Sequence, residues 1–370
     1  MEPERKKKIA MIFPYAPTYR ERIYRMIDEA FDVDWYFAGN AERDLRFLDD
    51  SILKKVDHSL REVTCAGGVQ RYAGLDAIDF AQYDAVITPT IIRNISTWSL
   101  FRKVKRAAGT RLIVWTHGWY GHESRMQRMI KRLYYRPVDT FLLYGEYARS
   151  LMIEEGFAAG RLEVIYNSLD YDRELPLRRA LKSTDIYPAR FGNDNPVLLF
   201  IGRLTAVKNL DMLLDAAARL SSCNVVFIGT GSEEEPLRQK AATLGIESRV
   251  WFYGECFDEA VNAEMIYNAD LCVAPGNIGL TAVHSMMFGT PCLTHDDFAN
   301  QMPEFEAIHP GLTGCFYKRG SVGSLVETIE GWFAHPGYDR EAIRRHCFDE
   351  IDSRWNPNVQ IKLLKRLING

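Results

Sequence analysis

Apolar residues along this chain gather in short runs without alternation, set apart by longer stretches of mixed polarity. Ile9 to Phe13, Val33 to Phe37, Asp84 to Thr88, Arg111 to Thr116, Thr140 to Tyr144 and Leu162 to Tyr166 form a first series. A run of that kind predicts a strand buried on both faces, as in a parallel sheet. Between the runs the spacing turns helical: Ile23, Met26 and Ile27 share one helix with Arg20, Arg22 and Arg25, and another carries Arg102, Lys103, Lys105 and Arg106. From Asn167 to Asn195 the period lapses. Leu175-Pro176, Tyr187-Pro188 and Gly192 to Pro196 are turn punctuation and predict a linker. A second series follows: Val197 to Ile201, Asn224 to Ile228, Arg249 to Tyr253, Leu271 to Ala274, and Thr290 to Thr294. The segment from Arg340 is helical and ends on a stripe of Ile361, Leu363, Leu364, Leu367 and Ile368, while Ala41 to Gly74 is polar and shows no organising period.

Two such series predict an α/β protein with two Rossmann-like, doubly wound parallel-sheet domains facing a cleft. The expected division is 1–190, 191–340 and a helical segment 341–370 that packs back toward the first domain. With 370 residues the chain is too long for one ordinary core, and 47% apolar with 26% charged residues is the balance of a globular protein. A net charge of -3 gives no overall pull toward nucleic acid, and none is expected as a partner. The seven cysteines (Cys65, Cys223, Cys256, Cys272, Cys292, Cys315 and Cys347) are scattered without a C-x-x-C pair, which indicates neither zinc nor disulfides and fits a reducing cytoplasm. The basic Arg5 to Lys8 precedes an apolar run that meets Pro14 too soon for a signal sequence, and no run is long enough to span a membrane. The expected location is cytoplasmic. A peripheral place on the inner face of the plasma membrane stays open because Arg125, Arg128, Lys131 and Arg132 interleave with Met126, Met129, Ile130 and Leu133. Such a helix can rest on anionic lipid or simply turn one face to the core. Lys6 to Lys8 and Arg102 to Arg106, in the same half, favour lipid.

The candidate chemistry sits at strand ends. Gly202 ends the run Val197 to Ile201, where a side chain would block close backbone approach, and Arg203 and Lys208 follow. Two cations at the carboxyl end of a parallel strand lie where open α/β sheets bind ligands, and they would neutralise a diphosphate. Gly229 to Glu235 reads as a tight turn with a Ser232/Glu235 capping box, a structural feature. Ala269 to Pro275, then Gly276 to Leu280 and a helix from Thr281, present backbone N–H groups to an anion. In the first half, His117 stands at a strand end before Gly118 and points into the expected cleft. His122-Glu123 lacks a third ligand at sensible spacing. Asp170-Tyr171-Asp172 has a D-x-D form, yet reads as the turn that enters the linker.

Over roughly 110 residues the order and spacing of these positions resemble the donor half of glycosyltransferase family 4, the retaining GT-B fold group also described as glycosyl transferases group 1. The matching residues are Gly202, Arg203, Leu204 and Lys208; Phe252 and Gly254; Ala269 and Asp270; Pro275, Gly279, Leu280, Met286, Gly289 and Pro291; and Pro303-Glu304. The resemblance implies transfer of a sugar from a nucleotide-sugar donor to a glycan or lipid-linked acceptor in surface polysaccharide or glycoconjugate synthesis, with retention and with neither cofactor nor metal. It places His117, Arg203 and Lys208 in catalysis, and Gly202, Gly276, Gly279, Leu280, His284, Asn300, Gln301 and Glu304 around the donor. The chain departs from the pattern where the family's paired glutamates fall on Gly276 and His284, and where Asn300-Gln301 replaces two glycines. His284 can hydrogen-bond a ribose hydroxyl instead, and Asn300 and Gln301 can bring side chains to the sugar. The same departures keep two alternatives in view, a sugar-nucleotide epimerase or hydrolase of the same fold, and a catalytically silent scaffold.

Overall fold

A computed structural model describes residues 5–39, 48–65 and 69–370. The chain forms two compact units, Met1–Asp170 with Pro357–Gly370, and Tyr171–Asn356.

In the first unit the strands are β1 (Lys8–Phe13), β2 (Asp32–Phe37), β3 (Val56–Asp57), β4 (Arg61–Thr64), β5 (Gln70–Ala73), β6 (Ala85–Thr88), β7 (Arg111–Thr116), β8 (Thr140–Leu143) and β9 (Leu162–Val164), and the helices are α1 (Glu21–Ala30), α2 (Ile95–Arg106), α3 (Arg125–Tyr135) and α4 (Glu146–Glu154). Among the described residues the main sheet runs β3-β2-β1-β6-β7-β8-β9, and all its pairs are parallel. The unalternating runs have a direct cause. Ile9, Met11 and Phe13 of β1 pack on one side with Ile23 and Ile27 of α1, while Ala10 and Ile12 pack on the other with Leu100, Phe101 and Val104 of α2. Each face of the pleat meets a helix, so neither can be polar. Of the unorganised stretch Ala41 to Gly74, residues 41–47 and 66–68 lie outside the described residues; the rest contains β3 and the antiparallel hairpin β4–β5, whose strands bury only Tyr72 and so carry no apolar run.

The second unit begins with α5 (Tyr171–Ala180) and α6 (Ile186–Phe191) and continues β10 (Val197–Ile201), α7 (Leu210–Arg219), β11 (Asn224–Ile228), α8 (Glu234–Thr243), β12 (Val250–Gly254), α9 (Glu259–Asn268), β13 (Leu271–Val273), α10 (Thr281–Met287), β14 (Cys292–His295), β15 (Gly314–Tyr317), α11 (Val322–Ala334) and α12 (Arg340–Ser353). Its sheet, also parallel, runs β12-β11-β10-β13-β14-β15. The chain then returns to the first unit as α13 (Pro357–Asn369), whose Ile361, Leu364 and Ile368 join the β1–α1 core.

The division differs from the expected one at both boundaries. The stretch read as a linker is helical and belongs to the second unit: the Tyr187 hydroxyl donates to Met265 O at 2.7 Å, Thr184 N–H donates to Asn268 Oδ1 at 2.9 Å, and Arg178 grips Asp352 with both nitrogens at 2.9 and 2.8 Å. The first boundary therefore falls after Asp170, not near 190. Of the tail 341–370, the part in α12 stays with the second unit, held by Arg344 donating to Tyr267 O at 2.9 Å and Arg340 paired with Asp270 at 3.0 Å. Only α13 packs on the first unit. The expected capping box is also absent: α8 starts at Glu234 with Glu233 as its cap residue and no side-chain cap bond, because Glu233 N–H is tied to Leu204 O at 3.0 Å. All seven cysteines are free, and no helix among the described residues is long and apolar enough to cross a membrane.

Candidate functional site

The strand order of the second sheet reverses between β10 and β13, so loops leaving their carboxyl ends diverge and open a crevice. Gly202 adopts φ +142, a conformation that L side chains avoid. The close approach expected at Gly202 is made by Gly229, where an added Cβ would lie 2.0 Å from Gly202 O. That packing fixes the loop carrying Arg203, which is exposed, and Lys208, which is half-buried.

Lys208 Nζ donates to Asn277 O at 2.7 Å, Asn277 Oδ1 at 3.0 Å and Ile278 O at 3.4 Å. Its ammonium is thus pinned against the loop between β13 and α10, 4.0 Å from where a Cβ on Gly279 would stand. Burial pushes its pKa down to about 8; the carboxylate of Glu304 opposes this and the charge of Arg203 adds to it. Glu304 is buried in the turn Pro303–Ala307. Gly276 N–H donates to Lys208 O at 2.8 Å, and an added Cβ there would lie 2.0 Å from Val207 O. No side chain fits at Gly276 without moving the Lys208 loop. Gly279 and Leu280 make the turn into α10, which Thr281 fastens to β10 by donating to Ile201 O at 3.0 Å.

Gly202, Arg203, Lys208, Gly276, Gly279, Leu280 and Glu304 are therefore brought together at the ends of β10 and β13. Three expected donor residues are engaged elsewhere. Gln301 is buried and spends its carboxamide on the protein: Oε1 accepts from Ile278 N–H at 3.0 Å, while Nε2 donates to Thr294 Oγ1 at 2.7 Å and His295 O at 3.2 Å. Asn300 is exposed and donates to Asp297 at 2.9 Å. His284 Nε2 lies 2.6 Å from Glu259 Oε1; burial lowers the imidazole pKa, but this carboxylate more than offsets it and leaves the pKa raised. Glu174 completes a group with Glu259 and His284 whose ligand atoms lie within 4.8 Å of one another, a donor set of a type that binds divalent cations. The sequence did not link these three, which lie on α5, α9 and α10.

His117 belongs to the first unit, at the end of β7. It lines a cavity of about 490 Å³ over the carboxyl ends of β1, β6, β7 and β8, where that sheet reverses its own order. Its Nδ1 is buried with no hydrogen-bond partner among the described residues, and its ring lies 4.6 Å from that of Tyr144 and 5.8 Å from that of Tyr120. Burial, then the charges of Arg20 and Lys131, push its pKa down to about 4, so the imidazole is neutral at physiological pH. Lys131 donates to Gly118 O at 2.9 Å and to Glu123 at 2.5 Å, and Glu123 also accepts from Tyr120 and Gly121 N–H. That network gives Glu123 a structural role beside His122. Arg20 and Lys131 were visible in the sequence only as helix charges; their signal was position, just after β1 and on the helix following β7. Tyr171 of the D-x-D stretch donates to Asp352 at 2.9 Å as α5 begins.

Helix α3 starts at a capping box of Ser124 and Gln127 and turns Lys131 and Tyr135 to the cavity. Its far side leaves Met126, Met129 and Leu133 exposed by 65, 65 and 62%. Arg128 and Arg132 on that side are paired with Glu155 at 3.0 and 2.7 Å.

Comparison with known proteins places this geometry in context. The family described as glycosyl transferases group 1 matches residues 183–346. The chain is 26% identical over 275 residues to the putative glycosyltransferase EpsD of Bacillus subtilis, covering 70% of each protein, and 24% identical over 260 residues to the lipopolysaccharide 1,6-galactosyltransferase of Salmonella typhimurium, covering 67% of each. The structure of HepE from Anabaena in complex with UDP matches with a TM-score of 0.72 at 16% identity, over 98% of this chain and all of that one. At that identity the likeness is one of fold, the two-sheet GT-B architecture.

Proposed function

We propose, for a chain that belongs through residues 183–346 to the glycosyl transferases group 1, that it moves a sugar from a nucleotide diphosphate to a glycan or lipid-linked acceptor in surface polysaccharide synthesis. The observation that carries this reading is the convergence of Lys208, Arg203, Gly276, Gly279 and Glu304 at the switch point of the second sheet. Transfer from such a donor requires the growing charge on the leaving diphosphate to be met by groups already in place, and a cation pinned by backbone carbonyls needs no reorganisation. The nucleotide sugar brings its own leaving group, so the reading calls for no cofactor or metal. Retention at the anomeric carbon is the course the family resemblance implies.

The loss of both family glutamates does not favour a silent scaffold. Gly276 is required by close packing in the loop, and His284 on α10 is held by Glu259, so both positions are built into the structure rather than left to decay. The cavity of the first unit supports the acceptor side, with neutral His117 offering an acceptor nitrogen to a sugar hydroxyl. The exposed Met126, Met129 and Leu133, flanked by Arg125 and Arg136, support docking on a lipid surface from which a lipid-linked acceptor is drawn.

A thermal-shift screen of the full chain against UDP-, GDP- and ADP-sugars tests the reading. A true donor at a hundredfold excess over its Kd stabilises the fold by about 2.7 kcal/mol. Stabilisation by none of them removes the reading, and rapid donor breakdown without acceptor points instead to a hydrolase or epimerase.

A further inference from the structure

The cavity of the first unit has an unusual charge balance. Arg20, Arg93 and Lys131 line it, and among the described residues no Asp or Glu does. Lys131 is answered by Glu123 from outside the lining, and Arg93 is exposed. Arg20 is different. It is only 8% exposed, its side chain donates to the Tyr144 hydroxyl, and its Nε has no hydrogen-bond partner among the described residues.

A buried guanidinium with no carboxylate among the described residues is costly, and aromatic faces compensate in part. Its carbon lies 4.9 Å from the centre of the Trp115 ring, 5.4 Å from Tyr144 and 5.7 Å from Tyr19. These rings fix the plane of the guanidinium without neutralising it. The planar fork is then poised for an anion with two oxygens, the geometry of a carboxylate or phosphate.

The surrounding walls narrow the class further. Tyr120, exposed by 36%, offers a flat apolar face on which the C–H face of a pyranose ring packs, and the neighbouring His117 Nδ1 lacks a partner among the described residues. The volume of about 490 Å³ suits one or two sugar rings.

We propose that the acceptor is an acidic saccharide, a sugar ring bearing a carboxylate or a phosphate that docks on Arg20 within this aromatic cavity. The proposal rests on the cavity being the acceptor's, and it goes beyond that reading by naming the acceptor's charge. Two sources share the chemistry, a uronic acid residue and the phosphate that joins a sugar to a carrier.

The test is calorimetric titration of the full chain, with and without saturating UDP, using D-glucuronic acid, α-D-glucose 1-phosphate and D-glucose. One or both acids bind, and glucose binds at least about tenfold more weakly, as loss of a charge-assisted hydrogen bond requires. Preference for glucuronic acid names a uronic acid, and preference for glucose 1-phosphate names the phosphate. Arg20→Gln weakens the acid by about 10- to 100-fold and leaves glucose unchanged; Arg20→Lys falls between and serves if the glutamine variant does not fold. Glucose binding as tightly as both acids overturns the proposal, as does acid binding that UDP abolishes, because Arg20 would then serve the donor's diphosphate. Acid binding that depends on Arg20 in a chain that turns over no nucleotide sugar upholds this proposal and defeats the transferase reading. Transfer to neutral acceptors without acid binding does the reverse.

Discussion

At the end of β10, Lys208 is held by the carbonyls of Asn277 and Ile278, and Glu304 opposes its charge; at the end of β1, Arg20 is held by the faces of Trp115, Tyr144 and Tyr19, and among the described residues no carboxylate lines its cavity. Both cations stand at the switch point of a sheet with the same strand order, so topology alone does not explain the contrast. Carbonyls belong to the backbone and stay where the loop is, whatever side chains the loop carries. Ring faces depend on three side chains from three separate elements. The first arrangement suits a group common to every substrate of its kind, as a diphosphate is. The second suits a group that distinguishes one substrate from another.

The largest effect that follows concerns Arg203. As an exposed cation beside Lys208, it is expected to act on the leaving diphosphate, and Arg203→Ala should cut turnover by about 100- to 1,000-fold. The loss should be equal for every acceptor, because it lies on the donor side. Arg20→Gln should instead lower transfer only to acidic acceptors. Steady-state rates for one acidic and one neutral acceptor separate the two, and an acceptor-dependent loss for Arg203→Ala would erase the contrast.

The next effect tests whether backbone holds Lys208. At Gly276 an added Cβ would lie 2.0 Å from Val207 O and 2.7 Å from Lys208 C, contacts that no side-chain rotation relieves. Gly276→Ala should cost about 1–3 kcal/mol of stability in urea unfolding and weaken donor binding with it. Gly276→Glu, which restores the residue type of the resembling family, should be worse rather than better. Unchanged stability and donor affinity in the alanine variant would show that the loop is looser than the Lys208 bonds imply.

The same contrast explains what could be read from the chain. Lys208, Gly276 and Gly279 were legible because a backbone-built site leaves its glycines and lysine at fixed spacing within two short segments, Gly202 to Lys208 and Gly276 to Gly279. Arg20 was not, because its partners at 115 and 144 are distant in sequence and no spacing rule joins them. The strands buried on both faces were legible from β1 onward, and β3, β4 and β5 were not, since strands of two to four residues with Tyr72 as their one buried side chain carry no hydrophobic run. Gly314 to Tyr317, the edge strand β15, was missed for a related reason, being short, begun by glycine and partly exposed. Pro176 and Pro188 read as turns, yet Pro176 lies inside α5 and Pro188 in the first turn of α6, where its missing N–H costs nothing. Gln301 was placed at the sugar by position alone, and only the fold shows its carboxamide turned inward to Ile278, Thr294 and His295.

The smallest effects are those of pH, and they fall in different ranges in the two units. Burial and Arg203 lower the Lys208 pKa to about 8 against the pull of Glu304, so the ammonium is charged at neutrality and loses its proton as pH rises. By pH 9 about a tenth of it remains charged, so kcat/KM should fall through this range. The kcat should fall less, because a bound diphosphate holds the proton in place. The pKa of His117 is also lowered, but to about 4, so the ring is already neutral and contributes nothing to the profile between pH 6 and 8. Its burial is the larger cause of that depression and the charge of Arg20 the next, so Arg20→Gln should move the His117 titration upward by a small amount, still short of an ordinary imidazole. An NMR titration of the ring protons reads this directly, and a His117 unmoved by the change would mean that the guanidinium does not face the imidazole across the cavity.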